Sequence, residues 1–109
     1  RFVKHFRNYI TEEKAYTNKK ELANFGLPYF NQQKNILEFN LDKFEDYLHR
    51  QKVNLSRVDL VIKCQNILKA KKNHGRFDGK SCVSWRMLNQ TVDIDDLIIE
   101  GEYKEITDE

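Results

Sequence analysis

Five cations, Lys69, Lys71, Lys72, Arg76 and Lys80, fall within twelve residues, with His74 among them and a single acid, Asp78, for a net charge of +4 with histidine neutral. Like charges packed this closely repel one another, and a polyanion offsets that repulsion by exchanging its counterions for ammonium and guanidinium groups. The chemistry these residue types can do is therefore attachment to phosphate. They sit around Asp78-Gly79, a dipeptide that favours a tight hairpin turn because both of its residues tolerate positive φ. After the turn, Val83, Trp85 and Met87 alternate with Ser84 and Arg86, the period-2 pattern of a half-buried strand.

The segment before the hairpin reads as a helix from about Ser56 to Lys69. Leu55, Val58, Val61 or Ile62, Cys64 or Gln65, and Leu68 form its apolar stripe. Off that stripe lie Ser56, Arg57, Asp59, Lys63 and Asn66. In a helix laid in a major groove, Arg57 has the donors to read guanine bidentately and Asn66 the donor and acceptor to read adenine. Lys69, Lys71, Lys72, His74, Arg76 and Lys80 would touch phosphates or the minor groove, contacts that position a protein without specifying sequence. The plainer alternative for Arg57 and Lys63 is an ordinary charged helix face. Trp85 is expected to pack on the core with Val83 and Met87, the rival role being a platform for an unpaired base.

Upstream elements must position this unit. Phe2, Phe6, Tyr9 and Ile10 recur at helical spacing and predict an amphipathic helix over 2 to about 10. Thr17 or Asn18 caps a short helix, KKELANF, which Gly26 ends and Pro28 keeps from resuming. Residues 27–30 are an apolar connection and 31–35 a polar loop. Ile36 to Phe39 suits a short strand. Asn40 or Asp42 caps a helix over about 42–51 that carries Leu41, Phe44, Tyr47 and Leu48, Val53-Asn54 makes a short turn, and Asn54 or Ser56 caps the next helix. The order strand, helix, tight turn, helix, hairpin predicts a mainly α fold with a small β-hairpin, a winged helix-turn-helix. The helix at 56–69 would be its recognition helix and residues 70–88 its wing. The domain would cover 1–92, its core at about 36–90 completed by helices within 1–30, and 93–109 would be an acidic C-terminal tail.

Charge is segregated along the chain. Residues 1–92 hold 18 Lys or Arg against 9 Asp or Glu, a net of +9, whereas residues 93–109 hold eight acids and one Lys, a net of −7. A basic body with an acidic appendage is common among nucleic-acid binders, and such a tail can compete with phosphate for the wing. A length of 109 residues, 39% of them hydrophobic and 12% aromatic, is enough for one domain with a small core. No apolar run approaches the roughly 18 residues of a membrane span and no signal peptide opens the chain. With Arg1 first and Phe2 already in helical phase, the chain is expected to be a domain excised or processed from a longer protein. Cys64 and Cys82 lie apart from His5, His49 and His74, so neither a metal site nor any other cofactor is expected. Both cysteines are expected to be buried and reduced in a cytoplasmic protein, a disulfide between helix and wing being the alternative. The sequence lacks a phosphate-binding glycine loop, a Gly-x-Ser-x-Gly elbow, His-Glu-x-x-His and Cys-x-x-Cys, so no enzyme is expected in this segment.

From Phe39 to Leu88, FNLDKFEDYLHRQKVNLS followed by the apolar helix and KKNHGRFDGKSCVSWRML resembles the winged-helix domains at the C-terminus of phage, plasmid and genomic-island primase-helicases. Those domains show an aromatic-rich helix, a leucine-serine helix start and a basic hairpin with a Gly-Lys turn. The resemblance covers about half of the chain. It implies a DNA-binding module, without membrane contact, that engages double-stranded DNA at a replication origin or fork. The ATPase, and any oligomer formed through it, would belong to other parts of the parent protein. Two further readings stand beside it: a winged-helix transcriptional regulator, and a protein-interaction module that makes no DNA contact.

Overall fold

Side-chain caps set the helix boundaries in the computed structural model, which describes residues 1–93 and 95–99. Asn18 Oδ1 accepts from the Lys20 amide at 3.0 Å, Asn40 Oδ1 from Lys43 at 3.0 Å and Ser56 Oγ from Asp59 at 3.1 Å. Each satisfies a first-turn amide that has no partner inside its helix. They open α2 (Lys19–Phe25), α3 (Leu41–Arg50) and α4 (Arg57–Asn66), while α1 (Phe2–Glu13) starts without a side-chain cap. Gly26, at φ 69°, ends α2 in the left-handed conformation. The strands are β1 (Ala15–Tyr16), β2 (Tyr29–Asn31), β3 (Ile36–Phe39), β4 (Lys71–Phe77), β5 (Lys80–Leu88) and β6 (Ile98–Ile99). Short 3₁₀ turns lie at Asn89–Thr91 and Asp95–Leu97.

Among the described residues the strands form one mixed six-stranded sheet, ordered β4-β5-β3-β2-β1-β6. β2, β3, β5 and β4 pair antiparallel in succession, while β1 runs parallel to both β2 and β6. Successive strand residues point to opposite faces, so the register sorts the side chains. One face carries Phe30, Leu37, Phe39, Trp85 and Met87, all in the hydrophobic core with Phe6, Tyr9 and Ile10 of α1, Phe44 and Leu48 of α3, and Leu60 and Cys64 of α4. Phe6 lies 4.9 Å from Phe39 and 5.1 Å from Phe44, and Tyr9 lies 5.2 Å from Phe44, centroid to centroid. The other face carries Glu38, Cys82, Ser84 and Arg86, and α2 lies over part of it, its Lys19 Nζ 4.0 Å from Glu38.

This sheet overturns the mainly α, winged helix-turn-helix expectation: the protein is α+β with its sheet at the centre. β5 is no wing strand alone, because Trp85 to Leu88 pair with Phe39 to Ile36 in the middle of the sheet. The local expectations fare better. Both turn residues, Asp78 at φ 51° and Gly79 at φ 77°, have positive φ, as a type I′ hairpin turn demands. Trp85 is 5% exposed and packed on the core as expected, whereas its strand neighbour Val83 is 42% exposed. The free thiols of Cys64 and Cys82 are both buried but on opposite sides of the sheet, so the disulfide alternative has no geometry. Burial pushes the Cys64 thiol up to about 12, which keeps it protonated and inert. No helix among the described residues is long and apolar enough to cross a membrane.

Two substitutions test this packing. Phe44 touches Phe2, Phe6, Tyr9 and Phe39, so Phe44→Ala is expected to cost about 4 kcal/mol in urea unfolding. Lys14, at φ 69° and ψ 160°, occupies a region that belongs essentially to glycine. Lys14→Gly is therefore expected to raise the unfolding midpoint, by about 1 kcal/mol of stability.

Candidate nucleic-acid interface

The hairpin register divides the sequence-predicted phosphate contacts between two faces. Lys72, His74 and Arg76 alternate on the side of Val83 and Trp85, while Lys71 lies opposite Arg86 on the side of Glu38. Lys69 precedes β4 and Lys80 opens β5, and all six predicted residues are exposed. Arg76 braces the turn, its Nη2 donating to the Gly79 carbonyl at 2.7 Å. Among the described residues, no carboxylate reaches Lys69, Lys71, Lys72, Arg76 or Lys80 within 4.0 Å. Some cations elsewhere are paired, Arg50 with Glu12 at 3.1 Å and Arg86 Nε 3.4 Å from Glu38, while others among the described residues, such as Lys4, Lys34 and Lys52, are not; the hairpin set is distinguished by its clustering. β4 is also the sheet's outermost strand on this side, and its lysines discourage another strand from adding there.

Of the residues assigned to base reading, Ser56 and Arg57 have partners within the protein. Ser56 is spent as the α4 cap. Arg57 bridges α4 to α3, with Nη2 2.9 Å from Asp42 and Nη1 2.8 Å from Glu45. Reading guanine would require it to leave both carboxylates. Lys63 is half-buried, and Asn66 is exposed at the last position of α4. The helix lies on the core through Leu60 and Cys64, and its outward side presents Val58 and Ile62. As the recognition helix of a winged fold, then, α4 is corrected: its guanidinium is engaged within the protein and its exposed side is partly apolar.

Grooves lie beside the hairpin on both faces of the sheet. The first, of about 460 Å³, lies between the start of α3, α4 and the strands, lined by Asn40, Asp42, Arg57, Val61, Lys72 and Trp85. The Asp42–Arg57 ion pair already occupies its polar side. The second, of about 450 Å³, opens on the opposite face and is lined by Ile36, Lys69, Lys71, Asn73, Arg86 and Leu88, with Lys72 and Met87 at its margin. Among the described residues no carboxylate lines it. Beneath it Glu38, with its side chain 3% exposed, accepts from Ser84 Oγ at 2.8 Å and holds Arg86. Ile36, Arg86 and Leu88 were not among the candidate site residues. Strand alternation puts Arg86 outside the core, but the sequence carries no signal that β3 lies beside it.

Among the described residues no three His, Cys, Asp or Glu side chains cluster so as to hold a metal ion. No protein-family model, curated protein or solved structure matches the chain. The interface is thus argued from its own geometry. Arg57 supplies a direct check: Arg57→Ala is expected to cost about 1 kcal/mol of stability through the half-exposed bridges to Asp42 and Glu45. Its affinity for DNA is expected to stay at the wild-type value in a binding titration.

Proposed function

We propose that this chain is a nucleic-acid-binding module, not an enzyme, and that its β4–β5 hairpin holds the phosphate backbone. The observation that carries this reading is the set of exposed, carboxylate-free cations at Lys69, Lys71, Lys72, Arg76 and Lys80, gathered at one edge of a sheet. Arg50 and Arg57 are spread along helices and neutralised by acids, whereas the hairpin brings five cations together without a carboxylate among the described residues. Cations kept unpaired and adjacent raise the local potential and favour a polyanion. His74, exposed between Lys72 and Arg76 on the same face, adds a hydrogen-bond donor to that row.

The resemblance of residues 39–88 to the C-terminal domains of mobile-element primase-helicases gives this module a place, DNA at an origin or fork, with oligomerisation left to the parent protein. Two buried free thiols accord with a reducing compartment, and we place the protein in the cytoplasm. A role in transcriptional regulation would need base readout, and a purely protein-binding role would need no phosphate contacts.

Binding as a function of salt separates these. Lys71→Ala combined with Lys72→Ala is expected to weaken DNA binding equally for all sequences. It is also expected to flatten the plot of log affinity against log salt by about 1.8, or 0.9 per lost duplex phosphate contact. Absence of binding to DNA at low salt would falsify the reading.

A further inference from the structure

The groove on the Glu38 face is not built for phosphate alone. Its floor is apolar: Ile36 and Leu88 are register partners across β3 and β5, and Leu88 is 54% exposed. Cations surround that floor, with Arg86 two residues before Leu88 on the same face, Lys71 opposite Arg86 on β4, and Lys69 at the entrance. Arg86 is oriented from below, Nε lying 3.4 Å from the buried Glu38 carboxylate while 39% of its side chain stays exposed. That contact is an ion pair and not a hydrogen bond, and it keeps the buried Nε near the carboxylate while part of the side chain reaches the surface. The groove's volume of about 450 Å³ suits one small planar group.

A duplex meets only half of this chemistry. Its phosphates satisfy the cations, but its bases are stacked on one another and have no free face to lay on Leu88. An apolar peptide covers the leucine and leaves the cations desolvated and unpaired, which is costly. An unpaired nucleotide satisfies both, with its base face on Ile36, Leu88 and the Arg86 plane and its phosphates on Lys69 and Lys71. Stacking on side chains and arginine planes is how single strands are commonly held. We infer that the groove seats an unpaired base, so that the preferred partner of the hairpin is single-stranded nucleic acid. This rests on the phosphate-binding reading and narrows it to a strand type.

The test is fluorescence anisotropy on the whole chain at low salt. The probes are an oligothymidylate of about a dozen nucleotides, an oligouridylate of the same length, and a duplex of equal length. The single strands are expected to bind about tenfold tighter than the duplex, and the ratio of the two shows whether deoxyribose or ribose is preferred. Leu88→Ser is expected to weaken single-strand binding about fivefold and leave duplex binding unchanged, whereas Leu88→Tyr tightens single-strand binding alone. Leu88 is surface-exposed, and an unchanged thermal melt confirms that both variants fold. Equal affinity for single strand and duplex with no response to Leu88 overturns the inference, even if the Lys71 and Lys72 substitutions still weaken binding. Competition by polyglutamate as effective as by oligothymidylate also overturns it, in favour of an acidic protein partner. Binding to none of the probes rejects the phosphate reading itself.

Discussion

Phe39 fixes the arrangement of the whole molecule. It is the last residue of the short central strand β3, and it meets Phe6 of α1 edge-to-face at 4.9 Å and Phe44 of α3 at 6.1 Å. Edge-to-face aromatic pairs contribute about 0.5–1.5 kcal/mol beyond the burial of their area. Their geometry matters as much as their energy, because a ring seated between two helices cannot point to the other side of the sheet. With Phe39 and Leu37 committed to the helical core, strand alternation leaves Glu38 on the opposite face. A one-residue slip would exchange the two sets and put a carboxylate in the hydrophobic core, a costly burial.

The consequence of that commitment is a buried carboxylate that must be paired. Ser84 donates to Glu38, Arg86 lies at 3.4 Å and Lys19 at 4.0 Å. These three groups come from β5 and from α2, so one acid joins the hairpin's inner half to the helix on the outer face. Removing one member of a buried pair typically costs more than the pair contributes, because the survivor stays desolvated. The same contact holds Arg86 by its Nε and shapes the rim of the cationic groove. Core packing on one face thus determines, through a single polar residue, what the other face can offer a ligand.

Local chemistry was legible in the sequence wherever one residue does its work alone. Asn18, Asn40 and Ser56 cap helices because their side chains accept first-turn amides, and Asp78-Gly79 turns because both residues tolerate positive φ. The winged-helix reading failed where structure depends on distant partners. β1 and β2 are two and three residues long, too short for any periodic signal. Their strand character comes from pairing, Tyr16 with Tyr29 and Ala15 with Ile98, at separations in sequence that no pattern reveals. The ion pairs of Arg57 were hidden for a similar reason. Its spacing from Asp42 and Glu45 on another helix carries no motif, yet two carboxylates within 3 Å decide its role. The cluster of exposed cations was legible because charge density is a property of composition, whereas the groove's floor required knowing that Ile36 and Leu88 are neighbours.

The sheet also separates the acid Asp96 from the basic hairpin. Arg7 of α1 donates to the carbonyls of Val92 and Asp93 and lies 3.9 Å from Asp96, which leads directly into β6 on the edge beyond β1. The basic strand β4 is at the other edge, five strand spacings away, or about 24 Å at the usual inter-strand distance. Expectations for the tail concern mainly residues 94 and 100–109, which lie outside the described residues. For Asp96, however, the geometry is decisive. Physiological salt screens exposed charges over about 8 Å, so a carboxylate some three screening lengths from β4 has almost no effect on the potential there. Its partner is Arg7.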